Sequence, residues 1–330
     1  MGGSPSSAVV DAYNTSLTRS TPTALSVARD SLTGASVGNY ALAMGGYTGS
    51  KSAVVDAYNT SLVRSTPAVL SVARSSIAGA SVGNYALAMG GAAASNSSVV
   101  DAYNTSLTRS APTALSVARS SIAGASVGNY TLAMGGATGA SVNVVDAYDT
   151  SLVRSTPTPL SAARTDMGGA SVGNYALALG GYTTSISKVV EAYDSALVRS
   201  TPAQLSATRR YCTGVSVGNY ALAAGGASDT VDAYDTSLTK STPQPLSLSR
   251  SYMAGASVGN YALLMGGYSG SAKANVDAYS SLSSIPIKFT LAPGTKYKFD
   301  SADEVTVTTL TTIEQNVGVG YIKFANGTIS

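Results

Sequence analysis

"GNYALAMGG" occupies residues 38–46, and near copies stand at 83–91, 128–136, 173–181, 218–226 and 259–267. Each copy ends in a glycine pair, and Gly2-Gly3 keeps the same phase at the start. The tripeptide "DAY" keeps the rhythm at Asp11, Asp56, Asp101, Asp146, Asp232 and Asp277, with Glu191 in the same place. Successive positions are 45 residues apart, except for one step of 41 between Glu191 and Asp232. A period of this length is the mark of a repeat architecture.

Residues 77–115 show what one unit contains. "IAGASV" and "YALAMGG" are small-residue and apolar runs that suit strands buried on both faces, here called a and b. "SVVDAYN" and "LTRSAPTAL" supply strands c and d. Turn residues separate them: "GN" after a, the glycine pair and a Ser/Ala/Gly-rich loop after b, "NTS" or "DTS" after c. Glycine provides the positive φ that such corners require. Helical periodicity is absent, so the expected class is all-β, with four antiparallel strands per unit arranged as β-propeller blades.

The order of Gly90-Gly91, Tyr103 and Arg119 resembles the kelch repeat. In that family a Gly-Gly pair closes the second strand, a Tyr sits in the third, and an Arg precedes the first strand of the next unit. The resemblance covers roughly residues 1–284 and implies a kelch-like propeller. The kelch Trp is missing, since the chain has none; its approximate place holds Arg19, Arg64, Arg109, Arg154, Arg199 and Lys240. A long Arg stem can cover apolar surface while its head stays wet. Asp56, Arg74, Asp101 and Arg119 read as blade-to-blade structural charges, and Tyr103 as a packing anchor with a polar handle.

Six a–b pairs predict six blades, with seven as the alternative. In the six-blade reading the N-terminal c–d hairpin (8–25) completes the blade whose a–b pair is 253–267, forming a clasp of the two ends. Residues 285–330 lose the repeat and hold all three Phe residues. They read as a small C-terminal β-module; in the seven-blade alternative, "YIKFANG" stands in for "YALAMGG".

Composition limits the chemistry. With no His, neither Ser-His-Asp nor Cys-His catalysis can be built, and His-based metal centres are excluded. The single cysteine, Cys212, forms no intrachain disulfide. A net charge of +3 without any Lys/Arg run argues against nucleic acid. No apolar stretch approaches a membrane span, and no signal peptide is visible. No cofactor is expected. The "NTS" sequons at Asn14, Asn59 and Asn104 give way to "DTS" at Asp149 and Asp235, which marks them as turns.

The copies differ in two places, the b–c loop and the start of strand a. Strands alternate in direction, so both places lie on one face of the ring. A rigid scaffold with variable loops is a common recognition surface. The candidate ligand-binding residues are therefore Tyr47, Lys51, Asp166, Tyr182, Lys188, Arg210, Tyr211, Asp229, Tyr252, Tyr268 and Lys273. The expected function is a non-catalytic binding or display scaffold for a protein or glycan, with a bacterial-surface or phage-tail setting favoured by composition. The alternatives are a carbohydrate-active enzyme using carboxylates and tyrosines, and a kelch-type interaction adaptor.

Overall fold

The computed structural model describes residue 1, residues 6–280 and, beyond them, the strands 287–291, 296–298, 304–306, 311–316 and 321–324. The architecture is all-β, a six-bladed propeller arrangement followed by a small separate sheet. Two compact units result, Met1–Tyr279 and Ser280–Ser330.

Blade 2 shows the build. Its strands are Ala78–Val82, Tyr85–Met89, Val100–Asn104 and Arg109–Ser110, paired antiparallel in sequence order. Blades 1, 3, 4 and 5 repeat it, with inner strands Thr33–Val37, Ala123–Val127, Gly168–Val172 and Thr213–Val217. Blade 6 has three described strands, Ala254–Val258, Tyr261–Met265 and Val276–Ser280. The place of its fourth falls outside the described residues.

Strand b explains the small-residue composition. It lies between a and c with a neighbouring blade on each face, and Ala86, Leu87, Ala88 and Met89 have no solvent exposure. Each core is shared between blades: Leu42, Met44, Val55 and Leu70 of blade 1 pack on Ala86, Ala88 and Tyr103 of blade 2. Alternation thus gives every blade one large-residue face and one small-residue face. The glycine pair turns the chain where side chains cannot fit. Gly90 has φ 61° and Gly91 φ 107°. A Cβ on either would meet a backbone carbonyl oxygen at 2.7 Å.

The c–d corner uses its Asn or Asp as a turn residue. Asn104 Oδ1 accepts the amides of Ser106 and Thr108, at 3.0 and 2.9 Å, and Asp149 does the same for Ser151 and Val153. Asn104→Ala should therefore cost about 1 kcal/mol, while Asn104→Asp should be nearly neutral; urea unfolding of the two variants checks this.

The structure corrects the clasp. Val276–Ser280, the last "VDAYS", fills the third place of blade 6 beside Tyr261–Met265. The N-terminal hairpin, Ala12–Tyr13 with Arg19–Ser20, forms its own two-stranded sheet. An outer strand that follows its partner directly in the chain closes a shorter loop than one borrowed from the opposite terminus. In the C-terminal unit, Tyr321–Phe324 pairs with Thr311–Asn316, which also pairs with Ile287–Leu291. The strand in "YIKFANG" thus belongs to that unit's own three-stranded sheet.

Candidate functional site

Two sets of polar residues recur around the ring, and the structure gives them different surroundings. The first set is buried. Arg119 Nη1 donates to Asp146 Oδ2 at 2.7 Å, and both side chains have no exposure. The guanidinium also donates to the carbonyls of Gly135, Val117 and Ala133, at 2.8, 3.1 and 2.9 Å. Arg29–Asp56, Arg74–Asp101, Arg164–Glu191, Arg209–Asp232 and Arg250–Asp277 repeat the pair. Burial pulls the Arg74 and Arg164 guanidiniums below the usual arginine range, opposed by the carboxylates they face.

Each of these Arg residues lies just before a strand a and reaches strand c of the same blade, so the pair fastens the incoming connection. Tyr103 ties the same connection down: its hydroxyl donates to the carbonyl of Ala68 at 2.8 Å, and burial pushes the phenol well above its ordinary pKa.

The Arg eight residues after the third-strand acid has a role that its spacing alone does not disclose. Arg109 and Arg154 bond the second oxygen of Asp101 and Asp146, both at 2.8 Å, with side chains 30% and 25% exposed. Each acid is held between a buried Arg and a half-exposed one. Drawing the c–d register, in which Tyr103 faces Arg109, places Arg109 diagonally across from Asp101.

The second set lies where the copies differ. In five of the blades the residue after the buried Arg bridges the first residue of the b–c loop, as in Asp30 with Tyr47, Ser75 with Ala92, Thr165 with Tyr182 and Ser251 with Tyr268. The next residue, at Ser31, Ser76, Ser121, Asp166, Tyr211 and Tyr252, has a left-handed backbone with φ between 51° and 56°. Several join head to tail: the amides of Ser76, Ser121, Tyr211 and Tyr252 donate to the carbonyls of Ser31, Ser76, Asp166 and Tyr211. The backbone is thus fixed while its side chain is free to vary, and three of the six positions carry Asp or Tyr instead of Ser.

Those three meet in one sector. The rings of Tyr211 and Tyr252 stack, with centroids 4.2 Å apart and planes 27° from parallel. The Arg210 guanidinium lies 4.3 Å from the Tyr211 ring centre and 5.0 Å from that of Tyr182, within cation–π range of both. It also bonds the Tyr211 hydroxyl. Burial raises the Asp166 carboxyl pKa, against the bond from Tyr211 and the charge of Arg210. Burial and the Tyr211 hydroxyl push the Tyr252 phenol up to about 12. Tyr252 is still 60% exposed, and Tyr268, beside Ser251, is 53% exposed.

The other candidates are placed apart. Tyr47 and Lys51 pair on blade 1, the ammonium 5.2 Å from the ring centre. Lys273 donates to Ser271 Oγ within the b–c loop of blade 6. Lys188 and Asp229 precede their c strands, where their carbonyls accept the amides of Leu205 and Leu246. Beside the aromatic sector, an open cleft between blades 3 and 4 is lined by Ala137, Ser141, Thr165 and Tyr182 among others. Among the described residues, no group of three or more Asp, Glu or Cys side chains is placed to hold a metal ion.

No protein-family model matches the chain, and no curated protein matches it.

Proposed function

We propose that this chain is a kelch-type propeller acting as a non-catalytic recognition or display scaffold, and that its ligand is a protein or glycan met at a cell or virion surface. The observation that supports this reading is the sector built by Asp166, Tyr182, Arg210, Tyr211 and Tyr252. The strands and the a–b and c–d turns are copied almost without change. At 166, 210, 211 and 252, where other copies carry Ser, this sector carries Asp, Arg, Tyr and Tyr.

Tyr and Arg dominate binding hot spots because they offer wide, fairly rigid contact area together with polar handles. The sector offers two stacked rings, a guanidinium already oriented by them, and a partly buried carboxyl. Sugar rings stack on such faces, and their hydroxyls would be bonded by Arg210 and Asp166; a protein loop presenting an aromatic or acidic side chain would be held by the same groups.

The test is a glycan array and a surface-protein panel probed with the full chain, followed by titration of whichever probe binds. The double variant Tyr211→Ala/Tyr252→Ala should weaken that probe at least tenfold, about 1.4 kcal/mol. Asn84→Ala and Thr105→Ala, on the opposite face, should change affinity by less than twofold. Binding that survives the double variant and is lost in Asn84→Ala or Thr105→Ala would place recognition on the fixed turns and refute the reading.

A further inference from the structure

Blade 5 departs from the others in one loop, and the departure leaves a main-chain pair open beside the aromatic sector. Between the glycine pair and strand c the other five blades carry eight residues, as at 92–99 between Gly91 and Val100. Blade 5 carries four, Ala227, Ser228, Asp229 and Thr230. The shortening spares the bonds that hold strand c. The Gly226 amide donates to the Arg250 carbonyl at 3.0 Å, as Gly91 does to Arg119 at 2.9 Å. Ser228 Oγ accepts the Thr230 amide at 3.1 Å, as Ser97 Oγ accepts that of Val99.

What is lost is the bridge. In blade 2 the Ser75 amide donates to the Ala92 carbonyl at 3.0 Å, and the Ala92 amide returns a bond to the Ser75 carbonyl at 2.8 Å. Blades 1, 3, 4 and 6 make the same two bonds, Asp30 with Tyr47, Ser120 with Ala137, Thr165 with Tyr182 and Ser251 with Tyr268. Arg210 holds that place in blade 5, and neither its N–H nor its C=O has a hydrogen-bond partner among the described residues. The cause lies inside the chain: the loop that supplies the partner elsewhere is described in full here and is four residues shorter.

The missing residues also uncover side chains on both sides. Full loops reach forward to the next blade at their fifth residue. Asn96 Nδ2 donates to the Ala137 carbonyl at 3.1 Å, and Ser141 Oγ donates to the Tyr182 carbonyl at 3.2 Å. Blade 5 has no fifth loop residue to reach Tyr268, which is 53% exposed. Blade 4 has Ile186 in that place, with no full loop ahead of it, and Ile186 is 44% exposed. A notch results, bordered by Ile186 toward blade 4 and by Tyr252 and Tyr268 toward blade 6, with the open main chain of Arg210 between them.

Resting on the reading of the aromatic sector as the recognition surface, we propose that this notch takes an extended segment of a partner protein, which pairs its main chain with Arg210 and lays apolar side chains against Ile186, Tyr252 and Tyr268. The pairing is what calls for a polypeptide. In a hydrogen-bonded antiparallel pair, the N–H and C=O of one residue are both met by the C=O and N–H of a single partner residue. In the five other blades that partner is main chain, held in a two-bond bridge. Strand addition of this kind draws affinity from main-chain bonds and specificity from the side chains beside them. Those side chains are apolar because the borders are: covering Ile186 and two exposed rings removes apolar surface from water.

The experiment pans a displayed library of random linear dodecapeptides against the full chain and titrates the enriched sequences as free synthetic peptides. Enrichment of peptides with apolar side chains is expected, with saturable 1:1 binding. A chain whose residues 227–230 are replaced by the blade 3 loop "ATGASVNV" (137–144) should bind them at least tenfold more weakly at an undiminished melting temperature, because the restored loop pairs with Arg210. A second arm leaves the protein untouched: N-methylation of each peptide amide in turn should find one whose loss weakens binding at least tenfold. No enriched peptide, binding undiminished in the loop-graft chain, or a methylation scan without a sensitive amide would each overturn the proposal. Self-association of the full chain that the graft abolishes would give the notch to a second copy and overturn it too. A glycan probe lost in Tyr211→Ala/Tyr252→Ala but held equally by the loop-graft chain would overturn it while leaving the sector's role in recognition intact.

Discussion

Replacing Arg119 by Ala is expected to remove about 3–5 kcal/mol of stability, the usual cost of breaking a buried ion pair from one side. The loss has several parts. Asp146, with no exposure, keeps only the half-exposed Arg154 and the bonds from Ser116. The carbonyls of Gly135, Val117 and Ala133 lose their donor. Arg119→Lys should rescue little, because one ammonium cannot direct protons to four acceptors that surround a planar group. Arg154→Ala should cost less than half as much, since its head reaches water and the buried pair survives. Calorimetry on the three variants checks the order. Equal losses from Arg119→Ala and Arg154→Ala would contradict the assignment of Arg119 as the fastening residue.

Gly169→Ala and Gly34→Ala are expected to differ in sign, although the two glycines hold the same place in the repeat. Inner strands approach one another through these residues. A Cβ on Gly169 would sit 2.3 Å from the carbonyl oxygen of Gly124, and both strands are held by full blades. Overpacking against backbone costs about 1–3 kcal/mol or more. At Gly34 the nearest atom to a new Cβ is the Leu42 carbonyl oxygen at 3.7 Å, an ordinary contact. The inner strand that would crowd it, as Gly34 crowds Gly79, is not among the described residues. Gly34→Ala should therefore be neutral or stabilise by up to about 1 kcal/mol, through lower entropy of the unfolded chain. Urea unfolding midpoints measure both. A Gly34→Ala loss equal to that of Gly169→Ala would mean that blade 1 is covered.

Much of this architecture is written locally. "YALAMGG" declares a strand buried on both faces and its corner, and "NTS" declares the turn that Asn104 makes. The recurrence of Arg and Asp in each unit was enough to expect a structural pair. Three features were not legible, each for a physical reason. The Leu of "NTSL" takes a left-handed backbone, φ 60° at Leu107, which no propensity assigns to leucine. Its packing beside Tyr103 and Ala88 holds it there. The inner glycines look like generic strand breakers until neighbouring blades are placed around them. The clasp was misjudged because near-identical copies make the two candidate third strands of blade 6 equivalent by pattern, and only chain connectivity separates them.

The aromatic sector was legible in another way. Tyr211 and Tyr252 stood out because copies of one repeat differ there, but Arg210 over two rings needed the stagger between blades 4 and 5.

The most direct measurement is native-state hydrogen exchange resolved by strand, on the full chain without added ligand. Inner strands of blades 2 to 5 have described neighbours on both sides, whereas Thr33–Val37 and Ala254–Val258 each have one on a single side, and Ala254–Val258 is exposed over four of its five residues. The amides of those two strands should exchange at least tenfold faster than their equivalents in Ala123–Val127 and Gly168–Val172. Uniform protection of all six inner strands would contradict the account.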